Sequence, residues 1–391
     1  MMTTNREQNL GIYIHIPFCR QKCLYCDFLS MASGTEEDIL HRAYMNLLKK
    51  EIQLTARELP SDSFRVDSVF IGGGTPSLVD PALITDLMSE VRASFHLLEY
   101  PEITIESNPG TLTPEKLLAY REAGINRLSM GVQSFDPACL KAIGRIHGPE
   151  EVVENFRQAR EAGFDNINLD LMFSLPGQTM ESWRDTLKKA LELSPEHLSY
   201  YSLQIEEGTP FYRMIQKGTL KQNSDQLDRQ MYEEARALLR ESGLRLYEIS
   251  NAAQPGRECR HNLKYWSMEE YLGLGLGSHS YIRGQRFSNA RTHQEYGELL
   301  GEGKLPRVWT HQNTREDEIG EYLFTGLRKE EGISLLNFQR RFGEELQQHY
   351  KDKWHKINEF MENKQLIIDG DKLKLTESGI HISNRIFVEL I

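Results

Sequence analysis

The sequence predicts an α/β protein made of a partial (β/α) barrel of the TIM type and a small C-terminal, helical, winged-helix-like domain. Two observations carry this prediction. From residue 11 to about residue 250, strand-like apolar runs alternate with amphipathic stretches without a clear domain break. That alternation is typical of a parallel sheet with crossover helices, open or closed into a barrel. From about residue 300 the pattern changes to helices followed by a hairpin, so we expect domains at residues 1–300 and 301–391.

The strands and helices of the barrel are assigned from the spacing of their apolar residues. The apolar runs suited to buried strands are Ile12–Ile16, Val66–Ile71, Ile103–Glu106, Arg127–Val132, Ile167–Phe173, Leu198–Ile205 and Leu244–Ile249. The amphipathic stretches that predict helices are Tyr44–Glu58, Pro81–Phe95, Pro114–Ala123, Pro149–Ala162, Met180–Leu193 and Gln226–Ser242. The pairs Asp80-Pro81 and Thr113-Pro114 indicate helix starts, because Asp or Thr caps a helix and Pro fits its first position.

The C-terminal region predicts a small helical module. Its elements are helices over Glu316–Lys329, Leu335–Tyr350 and Trp354–Asn363, the hairpin LIIDGDKLKLT around Gly370, and a last helix from Glu377 to the end. Modules of this kind bind DNA in some proteins and serve as lids or docking surfaces in others. The formal net charge of −11 gives the chain no general attraction to phosphate. We therefore expect no nucleic-acid partner.

Composition also bears on where the protein resides. The segment MMTTNREQNL at the start has no apolar core of a secretory signal. The longest apolar stretch, Tyr271–Ile282, is interrupted by glycines and too short to span a bilayer. The chain has 5 cysteines, and an odd number in a large chain argues against a disulfide framework. We expect a soluble, cytoplasmic protein.

Three of the cysteines form a cluster. Cys19, Cys23 and Cys26 follow the first predicted strand with the spacing C-x3-C-x2-C, so their thiolates can converge on one metal centre. Cubane iron–sulfur clusters are usually held by four cysteines, and with three ligands one iron keeps a position open to another molecule. The alternatives are a zinc site of three cysteines with His15, or three buried structural thiols.

Polar or glycine-rich groups stand at the ends of the strands that follow. Gly72-Gly73-Gly74-Thr75 ends the second strand, Glu106 the third and Gln133 the fourth. Arg145 comes shortly afterwards, and Asp170 lies in the fifth strand. The carboxyl ends of parallel barrel strands open on one face, where ligand sites lie. Because buried charges need partners, we expect a ligand there; a tight glycine turn and a Glu106–Arg145 salt bridge are the structural alternatives.

The cysteine spacing after a strand resembles the signature of the radical S-adenosylmethionine (SAM) superfamily. The longer segment YIHIPFCRQKCLYCDF resembles the branch that holds oxygen-independent coproporphyrinogen III oxidase and the heme chaperone HemW. The resemblance implies a 4Fe–4S cluster on Cys19, Cys23 and Cys26, whose open iron chelates SAM. In that superfamily, reduction splits SAM to a 5′-deoxyadenosyl radical.

The resemblance also assigns positions that hold SAM. It places Gly73, Gly74 and Thr75 at the SAM amino group, Asp170 at a ribose hydroxyl and Arg145 at the carboxylate. Tyr25, between the second and third cysteines, is suited to cover the adenine. The full set of cofactor positions that it implies is Tyr13, Tyr25, Gly73, Gly74, Thr75, Glu106, Gln133, Arg145 and Asp170.

Three departures separate this chain from the oxidase pattern and favour the chaperone. The oxidase carries a fourth cysteine two residues after the third, where this chain has Phe28. The oxidase has a longer segment before its first cysteine, which suggests that parts able to cover a substrate are missing here. The segment from Cys259 to Trp266 contains HNxxYW, which resembles the heme-linked motif of the chaperone branch.

That motif makes His261 the candidate heme ligand, because a neutral imidazole binds iron well. Tyr265 and Trp266 are suited to stack on a porphyrin, and Cys259 is a second possible ligand. The alternative is that His261 is a hydrogen-bonded histidine and the aromatic side chains belong to the core. His279 is a weaker candidate ligand, and Cys139 is expected to be a free structural thiol.

The resemblance therefore implies a heme-binding protein that transfers heme to acceptor hemoproteins, respiratory ones among them. The expected cofactors are the 4Fe–4S cluster, SAM and heme. The alternative function is oxidative decarboxylation of coproporphyrinogen III. No residue is assigned a catalytic role, and SAM cleavage need not lead to porphyrin decarboxylation. Membrane contact through a partner is left open.

Overall fold

The computed structural model describes residues 8–32, 37–59 and 64–390. The first residues of the chain, on which the expectation about a secretory signal partly depends, lie outside these ranges. None of the helices within them is long and apolar enough to cross a membrane.

The described residues form seventeen strands. They are β1 (Gln8–Ile16), β2 (Phe18–Cys19), β3 (Met31–Ala32), β4 (Phe64–Gly73), β5 (Leu97–Ser107), β6 (Arg127–Gln133), β7 (Ile167–Phe173), β8 (His197–Ser202), β9 (Arg245–Glu248), β10 (Asn251–Ala253), β11 (Tyr271–Leu274), β12 (His279–Ile282), β13 (Gln285–Asn289), β14 (Arg307–Gln312), β15 (Ile333–Ser334), β16 (Leu366–Asp369) and β17 (Lys372–Leu375).

Sixteen α-helices accompany the strands in the described ranges. They are α1 (Glu37–Glu58), α2 (Pro81–Ser94), α3 (Pro114–Glu122), α4 (Pro137–Ala142), α5 (Pro149–Glu161), α6 (Met180–Glu192), α7 (Pro210–Gln216), α8 (Asp225–Glu241), α9 (Arg260–Ser267), α10 (His293–Gly301), α11 (Arg315–Gly326), α12 (Leu335–Phe342), α13 (Leu346–His349), α14 (Trp354–Glu362), α15 (Glu377–Ile380) and α16 (Ser383–Leu390). A short 3₁₀ helix covers Pro76–Leu78.

One large sheet forms the body of the molecule. Its strands follow the order β14-β13-β12-β11-β1-β4-β5-β6-β7-β8-β10-β9. The stretch from β11 to β8 is parallel, and the pairs outside it are antiparallel. The sheet order ends at β14 on one side and β9 on the other, and no ladder joins them in the part of the chain that the structure describes. The predicted partial barrel is therefore confirmed.

The helices begin where the capping residues predict. Asp80 accepts a hydrogen bond from the amide of Ala82 at 2.9 Å, with proline at the first position of α2. Thr113 accepts from the amide of Lys116 at 3.3 Å at the start of α3. Because these caps satisfy amides that have no partner within the helix, each helix starts at a defined distance from the strand before it. The strand ends are thereby held at one face of the barrel.

One strand prediction is wrong in its direction. The segment predicted as Leu244–Ile249 forms β9, which pairs antiparallel with β10 at the sheet margin. Only Ile249 and Ser250 separate these two strands, and so short a link permits a hairpin but no parallel crossover. On the side of β1 away from β4, the parallel neighbour is β11, with Gly11 opposite Tyr271. Its glycine-rich sequence gave no strand signal.

The C-terminal module is helical with a small three-stranded sheet, ordered β15-β17-β16. The predicted hairpin is present, and Gly370 has the positive φ of +57° that its turn requires. The single predicted helix over Leu335–Tyr350 is wrong. It is divided into α12 and α13 at Gly343, whose φ of +78° ends the first helix. The predicted last helix is likewise divided into α15 and α16.

The position of the domain boundary stays a prediction. Strand β14 pairs with β13 and so belongs to the large sheet. We therefore propose that the C-terminal module begins after Gln312 rather than at residue 301.

Candidate functional site

A cavity of about 450 Å³ opens at the carboxyl ends of the parallel strands. It contains most of the residues singled out from the sequence, contributed by the cysteine loop and by the ends of the strands from β4 to β7. Those that line it are Cys19, Cys23, Tyr25, Cys26, Gly73, Gly74, Thr75, Glu106, Gln133, Arg145 and Asp170. The structure therefore brings eleven positions together across a wide range of the sequence. Tyr13 and His261 are not among the lining residues.

Two backbone hydrogen bonds of Leu24 fix the cysteine loop. The amide of Leu24 donates to the carbonyl of Ile143 at 3.1 Å, and the carbonyl of Leu24 accepts from the amide of Phe211 at 3.0 Å. Burial is the largest cause that raises the pKa of the Cys19 and Cys26 thiols. Thiolates at these positions therefore need a positive partner such as iron. A cluster whose irons each take one thiolate fits three thiols spread around a shared cavity.

The zinc alternative fits less well. The Nε2 atom of His15 lies 2.7 Å from the carbonyl oxygen of Leu29, and its Nδ1 lies 2.9 Å from the hydroxyl of Tyr13. Both ring nitrogens are thus occupied. Within the described ranges, no three His, Cys, Asp or Glu side chains, the three cysteines included, are grouped so that they could hold a single metal ion. The His15 side chain instead connects β1 to the Leu29 carbonyl, which follows the cysteine loop. The Tyr13 hydroxyl holds its other ring nitrogen.

The glycine segment serves close packing of the backbone. A Cβ atom on Gly74 would lie 2.5 Å from the carbonyl oxygen of Phe18, and one on Gly73 would lie 2.5 Å from the His15 ring. Gly73 also has a φ of +114°, which a side chain disfavours. The amides of Gly73, Gly74 and Thr75 donate to Glu106, Ile16 and Phe18 respectively. An amino group placed here would therefore donate to other acceptors nearby, such as backbone carbonyl oxygens or the Glu106 carboxylate.

Two carboxylates lie at the inner wall of the cavity. Burial, with Asp170 as the next cause, raises the pKa of Glu106 to about 7. Asp170 accepts from Asn168 at 2.7 Å and from Ser129 at 3.4 Å, and burial raises its pKa as well. The pair offers acceptors to the hydroxyl and cationic groups of a ligand such as SAM.

Arg145 does not form the salt bridge with Glu106 that was the structural alternative. Its Nη2 atom donates to Oδ1 of Asn108 at 2.7 Å and to the carbonyl of Gly131, and Nη1 lies 3.7 Å from the sulfur of Cys23. Its Nε atom is buried without a hydrogen-bond partner. A buried donor without a partner costs free energy, and a ligand carboxylate would satisfy it. This orphaned donor fits the role predicted for Arg145.

Gln133 and Tyr25 occupy the remaining predicted positions. Gln133 has a φ of +65°, a strained conformation for a residue with a side chain and one that is common at functional sites. Its Oε1 accepts from the hydroxyl of Tyr201 at 3.1 Å. Burial raises the pKa of Tyr25, so its hydroxyl stays protonated. Phe28, in the place of the oxidase cysteine, lines the cavity and is 65% exposed.

Sequence analysis did not identify two residues that line the cavity, Asn108 and Tyr201, as candidate ligand-binding residues. Oδ1 of Asn108 accepts from Arg145, and the side-chain amide of Asn108 donates to the Thr75 hydroxyl at 2.8 Å. The signal available in the sequence was the position of Asn108 just after Glu106 in the strand-end motif. Tyr201 lies at the end of β8, in a run that gave no sign of which side chains face the cavity.

The HNxxYW segment forms α9, which packs against β4. His261 is 1% exposed, its Nδ1 lies 3.0 Å from the Ser68 hydroxyl and its Nε2 lies 2.9 Å from the Tyr265 hydroxyl. Burial lowers its pKa to about 3, so the imidazole is neutral. Both nitrogens are therefore occupied in this conformation, as the structural alternative requires. The role of heme ligand stays a prediction, and it requires α9 to open.

The neighbours of His261 are also engaged. Cys259 is fully buried, its sulfur lies 3.6 Å from Oε1 of Glu102, and burial raises the pKa of its thiol to about 12. The guanidinium of Arg328 lies 4.8 Å from the ring centroid of Trp266. The Nε1 atom of Trp266 is buried without a partner. This region has the features of a packed interior.

Comparisons with known proteins bear on the whole chain. Residues 13–190 match the family model of the radical SAM superfamily, and residues 313–382 match that of the HemN C-terminal domain. A Bacillus subtilis protein named heme chaperone HemW is 38% identical over 96% of this chain and 97% of its own length. The heme chaperone HemW of Lactococcus lactis is 34% identical over 97% of this chain and 96% of its own.

A solved structure gives the same picture for the fold. Coproporphyrinogen III oxidase (HemN) from Escherichia coli, described as a radical SAM enzyme, superposes with a TM-score of 0.86 at 25% identity. The match covers 98% of this chain and 90% of that structure. The heme chaperone HemW of the same organism is 41% identical over 70% of each chain.

Proposed function

This chain belongs to the heme chaperone HemW family within the radical SAM superfamily, and on that premise we propose that it binds heme and transfers it to acceptor hemoproteins. The observation that carries the proposal is the end-to-end similarity to a protein named heme chaperone HemW, 38% identical over 96% of this chain. Respiratory hemoproteins are among the proposed acceptors. Contact with a membrane would then come through such a partner.

Membership of the superfamily implies a 4Fe–4S cluster and SAM. We propose that Cys19, Cys23 and Cys26 hold the cluster, because these three thiols line one cavity. Arg145, whose buried Nε has no partner, would hold the carboxylate of SAM, and Asp170 would offer acceptors to a ribose hydroxyl, because both residues line the same cavity. When both are bound, the cofactors supply radical chemistry by one-electron reduction of SAM.

The chain's own residues arrange this cavity before any ligand enters. His15 holds the cysteine loop through the Leu29 carbonyl, and Asn108 fixes the Arg145 guanidinium. Burial raises the pKa of Glu106, so a cationic group of a ligand beside it would favour the charged carboxylate. These side chains orient the cysteine loop and the Arg145 guanidinium and bind the ligand. None of them needs to exchange a proton with a porphyrin.

The alternative function is the oxidase reaction. The similarity to the Escherichia coli oxidase structure is the reason to test it. We expect that the cluster-loaded protein forms no protoporphyrinogen IX from coproporphyrinogen III in the presence of SAM and a reductant. Phe28 in place of the fourth cysteine is the residue difference behind this expectation. The assay is anaerobic incubation followed by chromatography of the oxidised porphyrins, with an authentic oxidase as positive control. Multiple turnovers by this chain would overturn the chaperone proposal.

A further inference from the structure

A second, larger cavity lies beside the SAM cavity and has been given no role so far. Its volume is about 910 Å³, and it is enclosed by the end of β8, the segment before α8 and the C-terminal helices α15 and α16. Tyr201, Ser202 and Gln204 line both cavities, so the two spaces are adjacent. A cavity of this size falls within the range of ligand sites, about 300–1,000 Å³.

The rim of this cavity is positively charged in a chain with a net charge of −11. Lys221, Arg229, Arg328 and Arg385 line it, and none of them forms a salt bridge with a carboxylate of the described residues. The Nε atom of Arg328 is buried without a hydrogen-bond partner. Two carboxylates, Asp225 and Asp228, also line the cavity, and Asp228 accepts from the Ser202 hydroxyl. The lining thus has a cationic excess that suits an anion.

Apolar and aromatic side chains lie between these charges, beside uncharged polar ones such as Gln222, Asn223 and Asn384. Leu220, Ile249, Ile380 and Ile382 line the cavity and are half-buried, and the ring of Tyr232 contributes a further face. Flat aromatic ligands are held by such surfaces, whereas their polar groups are held by a few charged side chains at the rim. An apolar macrocycle that carries carboxylates matches both features.

Among the described residues that line this cavity, one is a histidine. The side chain of His381 is 18% exposed, and its Nε2 lies 3.0 Å from Oε1 of Glu233. Its ring meets that of Tyr232 edge-on at 6.0 Å. Metal-binding histidines commonly donate one ring N–H to a carboxylate, which leaves the other nitrogen free for the metal. His381 has that arrangement, whereas both nitrogens of His261 are occupied.

A third cavity, of about 900 Å³, lies between β14 and the C-terminal module and fits an anion poorly. Glu316, Asp317, Glu321 and Asp352 line it with Arg286 and Lys353, so its carboxylates outnumber its cations. Its histidines are already paired, His311 with Asp317 and His349 with Glu316 and Glu344. Its acidic lining would repel the propionates of heme.

We propose that the cavity between β8 and the C-terminal helices binds heme, with Arg229, Arg328 and Arg385 at the propionates and His381 at the iron. This inference rests on the proposed heme-binding function and specifies its site. Heme would then lie against Tyr201, which also lines the SAM cavity. The C-terminal module supplies the histidine and one arginine, so it takes part in binding.

The test is a heme titration of the full-length, cluster-loaded protein, followed by the Soret band. The variants are His381→Ala and the double charge reversal Arg229→Glu/Arg385→Glu. The matched controls are His311→Ala, in the acidic cavity, and Arg42→Glu/Arg57→Glu on α1, which change the same residue types away from the site. Two lost charge-assisted bonds should weaken heme binding roughly 100-fold or more, and loss of His381 should shift the Soret maximum.

The outcomes separate the site from the function. If the unaltered protein binds heme saturably and only the cavity variants weaken it, the site is supported. If the unaltered protein binds and the cavity variants behave like the controls, the proposed site is wrong and the function stands. If the unaltered protein shows no saturable binding, the proposed function itself fails, and the site with it.

Discussion

Replacement of Cys23 by alanine is expected to abolish the iron–sulfur cluster. Cys23 lies between the other two cysteines, lines the cavity and has its sulfur 3.7 Å from Nη1 of Arg145. With two thiolates left, a cubane loses the ligand set that holds it. After anaerobic reconstitution, iron and acid-labile sulfide should fall to less than about a tenth of the level in the unaltered protein, and the brown colour should be lost.

Cys139→Ala is the matched control for this prediction. Cys139 is buried, with its sulfur 3.9 Å from the Ser182 hydroxyl, and it does not line the SAM cavity. It should retain a full complement of iron and sulfide. The presence of zinc without labile sulfide in the unaltered protein would instead establish the zinc alternative and contradict the radical SAM account.

Replacement of Arg145 by methionine is expected to weaken SAM binding strongly. The buried Nε donor of Arg145 has no partner, and a hydrogen bond between charged groups contributes about 1.5–3 kcal/mol. Loss of that bond corresponds to roughly a 10- to 100-fold rise in the dissociation constant. Calorimetric titration of the cluster-loaded protein with SAM measures it. The iron content of each sample is determined in parallel, because Arg145 also approaches Cys23.

Arg145→Lys separates charge from geometry in this prediction. A lysine keeps the positive charge but lacks the planar fork that reaches Asn108 and a ligand at once. It should recover part of the affinity. As a control, Arg157→Met removes an exposed arginine that is paired with Glu154 on α5, and SAM binding should not change. If Arg145→Met binds SAM like the unaltered protein, the assignment of its guanidinium to the ligand is wrong.

Much of the barrel is predictable because its signals are local. The strand Ile167–Phe173 forms as predicted, and the helices after Asp80 and Thr113 start at their capping residues. The cavity positions follow from the same rule, since strand ends in a parallel barrel meet at one face. Spacing within one loop was enough to single out the three cysteines.

Local patterns do not reveal the contacts that join distant parts of the chain. The Nδ1 atom of His261 lies 3.0 Å from the Ser68 hydroxyl, 193 residues away in sequence, so its burial and its partners could not be read from the HNxxYW motif. Glycines are required at the end of β4, at Gly73 and Gly74, by the ring of His15 and the backbone of Phe18, contacts that no local pattern reveals. Strand β11 lies next to β1 although most of the chain separates them. Its short, glycine-rich sequence resembles a turn.

The most direct measurement is a titration of the cluster-loaded, unaltered protein with heme. The Soret absorbance is followed to saturation and the bound heme is quantified after gel filtration. The account predicts saturable binding near one heme per chain, with heme retained through the column. Weak, unsaturable binding that is lost on the column would contradict the chaperone function and bring the coproporphyrinogen oxidase alternative to the front.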